Sequence, residues 1–235
     1  MDILKVQKNK KKVIAIIPAY NEAKNITSVI TTCQRFVDEV IVIDDGSQDK
    51  TANISHKAGA AVLVNEVNRG KAASLNRGIK RGLEEEGSVF IFLDSDGQHD
   101  PCEIPLFLEK INLGYDLVIG KRKFDAKTMP IIRVLANFIS SSAVSFSCKS
   151  KIEDSQSGYR AAKRQLLENI SFTSNRFQID TEMIIKSAKC GYRIGFVPIK
   201  TIYHMNAKSK VHQIIDPLKC IFLIIKLSFW KCPGK

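Results

Sequence analysis

Three acidic or polar clusters each follow a short hydrophobic run. Pro18-Ala19-Tyr20-Asn21-Glu22 follows Val13–Ile17, Asp44-Asp45-Gly46-Ser47 follows Val40–Ile43, and Asp94-Ser95-Asp96-Gly97-Gln98-His99-Asp100 follows Val89–Leu93. In extended backbone residues i and i+2 point to the same side, so Asp94 and Asp96 are expected to face one pocket, with Gln98 joining them if the extension persists. Such acids repel a bare diphosphate. With Mg²⁺ or Mn²⁺ between them they can hold one, because hard oxygen ligands suit those ions. Lys71, in Asn68-Arg69-Gly70-Lys71, is a cation suited to stand near the same diphosphate.

The elements that position these clusters alternate. Runs at Val13–Ile17, Val40–Ile43, Ala61–Val64, Val89–Leu93 and Leu117–Ile119 read as buried parallel strands. Helical patterns near 22–36, 50–59, 70–86 and 101–112 lie between them. This rhythm predicts βαβ units and a parallel sheet with helices on both faces. In such sheets ligands bind at the carboxyl ends of the strands, where all three clusters fall. After residue 120 the rhythm changes. Pro130 opens a helix carrying Arg133, Asn137 and Ser141 on one polar face. A polar stretch, Glu153–Gly158, leads to a strand at Tyr159–Ala162, a helix near 180–190 and a strand at Ile194–Ile202.

Two rival nucleotide folds are excluded. A dinucleotide-binding domain needs G-x-G-x-x-G after its first strand, where this chain has P-A-Y-N-E. A P-loop needs an earlier glycine and a Ser/Thr that Asn68–Lys71 lacks.

The motifs, taken together, resemble the family-two glycosyltransferases of GT-A fold. The nearest likeness is to the dolichyl-phosphate mannose synthase and polyprenyl-phosphate glycosyltransferase branch. The likeness rests on Ile16–Glu22, Val42–Thr51, Asn68–Lys71, Phe92–Gln98 and Asp154–Arg160, in family order across about residues 13–210. It implies an α/β fold with a central, mostly parallel sheet flanked by helices. It implies that Pro18, Tyr20, Glu22 and Asp45 line the nucleotide pocket, with Tyr20 and Asp45 at the base. Asp94 then faces the ribose or the metal, Ser95 belongs to the same donor-binding set, and Asp96 and Gln98 coordinate Mg²⁺ or Mn²⁺. Arg122, in Val118-Ile119-Gly120-Lys121-Arg122, and Arg133 match arginines that hold an acceptor phosphate, for which a planar guanidinium fork is apt. Ser209-Lys210-Val211 resembles a late element bordering the active site.

A nucleotide-sugar donor and a polyprenyl or dolichyl phosphate acceptor follow from that likeness. A phosphate monoester is already an anionic nucleophile near neutral pH, so it needs orientation rather than a general base. A saccharide hydroxyl, the alternative acceptor, needs a base. Asp180, Glu182 and Asp154 are the candidates, against the plainer reading of Asp180 and Glu182 as acids favourable at a helix N-terminus.

The chain has 235 residues and a net charge of +12, but ten of those charges lie at its ends. Residues 1–12 hold five Lys against Asp2, and residues 200–235 hold seven Lys against Asp216. A nearly neutral body argues against a nucleic-acid partner and for an anionic membrane surface. The division expected is a basic tail (1–12), the transferase domain (13–210) and a basic C-terminal helix (211–235). In that last segment Asp216-Pro217 reads as a helix start, with Cys220–Ile225 between Lys219 and Lys226 and with Phe229-Trp230 at the end. An in-plane membrane helix fits this pattern, as do a core helix and a dimer interface. Six scattered cysteines, none in C-x-x-C, predict reduced core thiols in a cytoplasmic protein peripheral to the membrane. Val13–Ile17 before Pro18 is too short for the core of a secretory leader, and no apolar run reaches membrane-spanning length.

Overall fold

The structure, a computed structural model, describes residues 11–122, 131–174, 178–200 and 215–233, without the side chains of 131–136 and 215–219. Strands β1 (Val13–Ala19), β2 (Glu39–Asp44), β3 (Ala61–Val64), β4 (Val89–Phe92), β5 (Leu117–Arg122), β6 (Arg160–Lys163) and β7 (Ile194–Ile199) form one sheet, in the order β3-β2-β1-β4-β6-β5-β7. Helices α1 (Ile26–Cys33), α2 (Thr51–Lys57), α3 (Lys71–Glu84) and α4 (Ile104–Asn112) follow β1 to β4 in turn. Beyond β5 come α5 (Ile131–Cys148), α6 (Arg164–Asn169), α7 (Ile179–Lys189) and α8 (Ile215–Ser228).

Alternation along each strand sends side chains to opposite faces. Ile14, Ile16, Ile41, Ile43, Phe90, Phe92, Leu117 and Ile119 pack with α3, α5, α6, α7 and α8. Ala15, Ile17, Val40, Val42, Ile91, Val118 and Val197 pack with α1, α2 and α4. The result is three layers, and both faces of the central strands are fully buried. That is why those strands read as continuous hydrophobic runs.

One strand breaks the expected pattern. β6 runs antiparallel to both β4 and β5, with Phe92 opposite Arg160 and Ile119 opposite Arg160. Its N-terminal end therefore lies at the carboxyl ends of its neighbours. The Asp154–Tyr159 stretch before it is delivered to the same edge as the acidic clusters.

Two expectations are corrected. Cys190, at the C-terminal end of α7, is joined to Cys232 in a disulfide across 42 residues, so these two are not reduced core thiols. A pairing that closes such a loop leaves no local spacing to read. The other described cysteines, Cys33, Cys102, Cys148 and Cys220, are thiols. The extended geometry at Asp94–Asp96 is not kept either. β4 ends at Phe92, Ser95 and Asp96 lie in a turn, and Gly97 follows at φ 75°. The turn closes because an Asp96 carboxylate oxygen accepts the Gln98 backbone N–H at 3.0 Å.

Candidate functional site

The loops after β1 and β2 are stitched together at the carboxyl edge. Asn21, left-handed at φ 54°, donates its N–H to Ser47 Oγ at 2.9 Å and accepts from Gln48 N at 2.8 Å. Left-handed backbone is tolerated by Asn more than by most residues. The Glu22 N–H bonds Thr51 Oγ1 at 2.9 Å. Pro18 and Tyr20 are half-buried beside these loops, and Glu22 is buried.

Asp45 is 4% exposed, and its carboxylate organises the loop that carries Lys71. It accepts the backbone N–H groups of Arg69 (3.0 Å) and Gly70 (2.8 Å) and the Asn65 amide (2.8 Å). At Gly46 an added Cβ would lie 2.8 Å from the Val67 carbonyl carbon, so glycine lets the two loops meet. Asp44, also buried, turns one oxygen to Ser47 N at 2.7 Å.

Lys71 is the first residue of α3, placed there by Gly70 at φ 88°. Its ammonium stands 2.8 Å from Asp94 Oδ1 and 3.2 Å from Asp180 Oδ2. Burial works to lower the Lys71 pKa. The charges on Asp180 and Asp94 outweigh it and hold the ammonium above the usual lysine value. Burial likewise works to raise Asp94, but Lys71 and then His99 hold that carboxyl at about 2. His99 is buried, stacked on Tyr159 at 5.1 Å between ring centroids, and its Nδ1 accepts the Asp94 backbone N–H at 3.2 Å. Burial is the main cause that brings His99 down to about 4, so it is a neutral imidazole bracing the acidic turn. Gly158 closes the cluster. A Cβ there would meet Lys71 Nζ at 2.7 Å and Asp94 Oδ2 at 2.8 Å, so a larger residue would have to displace the ends of this ion pair.

The arginine that ends β5 is held as firmly. Arg122 meets Asp154 through two parallel bonds, Nε to Oδ2 at 2.8 Å and Nη2 to Oδ1 at 2.9 Å, and also reaches Asn137 Oδ1 at 3.4 Å. Asp154 is fully buried while the Arg122 side chain is one-fifth exposed. Arg160, buried in full, donates to the carbonyls of Ser157 (2.8 Å), Ser155 (3.2 Å) and Asp180, tying the approach to β6 to the start of α7.

The structure thus places Pro18, Tyr20, Glu22, Asp45, Lys71, Asp94, Ser95, Asp96, Gln98 and Arg122 on strand ends, loops and the start of α3 at one sheet edge. Ser95 is buried, and Asp96 and Gln98 are half-buried. Arg133 lies on α5, but its side chain is outside the described residues, as are Lys210 and its neighbours. Sequence reasoning missed His99 and Arg160 as members of the cluster. The signals were their positions next to Gln98 and Tyr159 within motifs already singled out. It also missed the partners of the acids weighed as bases. Glu182, fully buried, accepts from Thr173 N (3.0 Å), Ser174 N (2.8 Å) and Lys186 (2.6 Å), which identifies it as a structural acid.

Among the described residues no three His, Cys, Asp or Glu side chains form a ready metal cage. A Mg²⁺-type ion held together with substrate phosphates needs only one or two protein carboxylates. The Asp96–Gln98 turn, with oxygen donors on both side chains, fits such a partial set. Asp94 borders it, with its charge directed to Lys71.

An α/β sheet with acids and a largely buried lysine at its carboxyl edge, and one antiparallel strand bringing a second polar loop there, defines an enzyme of GT-A architecture. The same fold is seen in glucosyl-3-phosphoglycerate synthase from Mycobacterium tuberculosis, solved with Mn²⁺ and UDP-glucose. Its TM-score is 0.73 at 21% identity, over 94% of this chain and 79% of that one. The model of glycosyl transferase family 2 matches residues 14–173, and the chain belongs to that family and is a glycosyltransferase. It is 33% identical to an uncharacterised protein of Methanocaldococcus jannaschii, over 96% of this chain and 98% of that protein. It is 28% identical to the UDP-N-acetylglucosamine–dolichyl-phosphate N-acetylglucosaminyltransferase of Methanococcus voltae, over 94% and 98%.

Proposed function

We propose that this glycosyltransferase moves a sugar from a nucleotide diphosphate to a polyprenyl phosphate of the dolichyl type, with Mg²⁺ or Mn²⁺ bound at the donor. The observation that carries the reading is the pairing state of the site. Asp94 and Asp180 face Lys71, Asp154 faces Arg122, and Glu182 faces Lys186. Each acid weighed as a base is thus engaged by a cation, an arrangement poor at accepting a proton from a hydroxyl. It suits an acceptor that arrives already anionic. The relative that acts on dolichyl phosphate supports the same acceptor class, and the solved neighbour with Mn²⁺ and UDP-glucose supports the donor and ion class.

In this reading Pro18, Tyr20, Glu22 and Asp45 border the nucleotide, and Lys71 directs positive charge to the diphosphate. Asp96 and Gln98, with Asp94 beside them, hold the ion. A divalent cation there supplies Lewis-acid stabilisation of the leaving diphosphate. Arg122, positioned by Asp154, and Arg133 are assigned to the acceptor phosphate. An acceptor oxygen attacks the anomeric carbon as the bond to the diphosphate breaks, inverting its configuration. The division into a basic tail (1–12), a catalytic domain (13–210) and a C-terminal helix (211–235) belongs to this proposal. So does action at the cytoplasmic face of an anionic membrane. Among the described residues no helix is long and apolar enough to cross a membrane.

The test incubates the protein with radiolabelled nucleotide sugars, Mn²⁺ or Mg²⁺ and polyprenyl phosphate, then partitions into butanol. Label in butanol that requires both the ion and the acceptor phosphate is expected. No butanol-soluble label with any common UDP- or GDP-sugar, alongside transfer to a saccharide, overturns the acceptor assignment.

A further inference from the structure

Asp180 lies in the first turn of α7, where an acid is ordinarily explained by the partial positive charge of a helix N-terminus. Its carboxylate does more than that. It is 8% exposed and meets two cations from other elements, Lys71 Nζ of α3 at 3.2 Å from Oδ2 and Arg160 Nε of β6 at 3.8 Å from Oδ1. Arg160 also holds the Asp180 backbone. Its guanidinium, buried in full, donates to the Asp180 carbonyl and to the carbonyls of Ser157 and Ser155. The start of α7 is thereby tied to the chain that enters β6, and the Asp180 carboxylate has a fixed place.

Three groups surround the Lys71 ammonium. Asp94 Oδ1 stands at 2.8 Å and Asp180 Oδ2 at 3.2 Å. Gly158 passes so near that a Cβ there would lie 2.7 Å from Nζ. An ammonium has three N–H donors. Among the described residues two of them go to the acids, which leaves one for an anion. A lysine stem is flexible, so holding it ready in advance removes an ordering cost from binding. The two acids are not equivalent. Asp94 borders the ion site, whereas Asp180 belongs to no ligand set assigned above. Lys71 is therefore the group through which Asp180 can reach the donor.

We propose that Asp180 is a positioning residue, which holds the Lys71 ammonium with its remaining N–H toward the donor diphosphate and takes no proton itself. The proposal rests on the reading above that Lys71 meets the diphosphate. Two opposed effects set the sign of removing the Asp180 charge. That charge repels an anionic ligand, but Arg160 offsets it from behind, so its removal gains little. Loss of the anchor leaves Lys71 paired with Asp94 alone and drawn into the acidic turn. The second effect dominates, and binding of the diphosphate weakens.

The test titrates UDP and GDP, each with Mn²⁺, into the full chain by calorimetry. It compares wild type, Lys71→Ala, Asp180→Asn and the double variant, with thermal melts as the check on folding. Asp180→Ser, smaller and also uncharged, runs in parallel, so an amide that does not fold leaves the comparison intact. For whichever nucleotide binds wild type, Lys71→Ala and Asp180→Asn are each expected to weaken binding about tenfold or more, the scale for an orienting partner. The double variant is expected within twofold of Lys71→Ala, because two residues that act through one ammonium do not add. The pH dependence of turnover should keep its shape in Asp180→Asn. Losses that multiply in the double variant give Asp180 an effect independent of Lys71 and overturn the proposal. Unchanged or tighter binding by Asp180→Asn, with Lys71→Ala weakened, also overturns it and leaves the reading of Lys71 standing. A profile that loses its acidic limb makes Asp180 a base and overturns it too. Unchanged binding by Lys71→Ala, or wild type that binds neither nucleotide, defeats the donor-side reading and the proposal with it.

Discussion

The two sides of the site that the proposal assigns to donor and acceptor are built by different means. On the donor side neighbouring parallel strands end in loops joined by neutral bonds, such as Asn21 N to Ser47 Oγ and Glu22 N to Thr51 Oγ1. Carboxylates also serve there, Asp45 by accepting backbone N–H groups of the adjacent loop and Asp49 by accepting the Ala23 N–H at 3.2 Å. On the acceptor side the joint is an ion pair between distant segments, Arg122 with Asp154 across 32 residues, and Lys71, between Asp94 and Asp180, links the two sides, reaching Asp180 across 109. The donor frame follows from βαβ connectivity. The acceptor frame exists only because β6 runs antiparallel and returns Asp154–Arg160 to the edge. The first should respond to substitution through ion and nucleotide affinity, the second through orientation of charges.

Asp96→Asn tests the donor side most severely. It removes an anionic ion donor and keeps the bond to Gln98 N, so ion-dependent turnover is expected to fall roughly 10³-fold. A rate within tenfold of wild type removes Asp96 from the ion site.

Glu182→Gln separates structure from chemistry on the acceptor side. Breaking its buried pair with Lys186 is expected to cost about 3 kcal/mol, seen as a Tm lower by roughly 10 °C. Burial alone would raise this carboxyl. Lys186 and the Ser174 and Thr173 donors hold it below the usual value, so the neutral amide is a poor replacement. The folded variant should keep kcat within several-fold, whereas a loss of kcat without a loss of Tm would make Glu182 the base.

Asp154→Asn sharpens the comparison further. With its fork loosened, Arg122 should bind the acceptor phosphate 10- to 100-fold more weakly, the usual scale for an orienting partner, while the donor KM stays unchanged. A donor KM that rises in step would merge the two sides.

The narrowest effect, confined to acidic pH, concerns His99. Its pKa is depressed to about 4 by burial, whereas an unfolded chain titrates near 6.5. Between those values the unfolded state binds the extra proton, so stability falls as pH drops from about 6.5 to about 4, by up to about 1.4 kcal/mol per unit. Thermal melts across that range should show a shallower slope in His99→Gln, and an unchanged slope would place the titration elsewhere.

Much of the donor side was legible in the residues. Buried parallel strands read as uninterrupted hydrophobic runs, and Val13–Ile17, Val40–Ile43 and Ala61–Val64 fall within or match β1 to β3. The acids after β2 and β4 sit at the edge where open sheets bind ligands. The extension of Asp94–Asp96 was misjudged because Asp96 caps its own turn, a local bond that competes with strand geometry. The short helix α6 was not seen, six residues being too few for a periodic signal. Neither the Cys190–Cys232 link nor the Arg122–Asp154 and Lys71–Asp180 pairs could be read, since each is a fact of tertiary return. The polar stripe of α5 was visible at Asn137 and Ser141. Only the packing against 152–155 showed that it faces inward and leaves Phe138 and Phe146 outside.

The central claim, an acceptor phosphate gripped by Arg122, is tested most directly by acceptor saturation curves for Arg122→Ala at saturating nucleotide sugar. The account predicts an acceptor KM at least tenfold higher with the donor KM unchanged. An unchanged acceptor KM, or equal turnover on the unphosphorylated polyprenol, would contradict it.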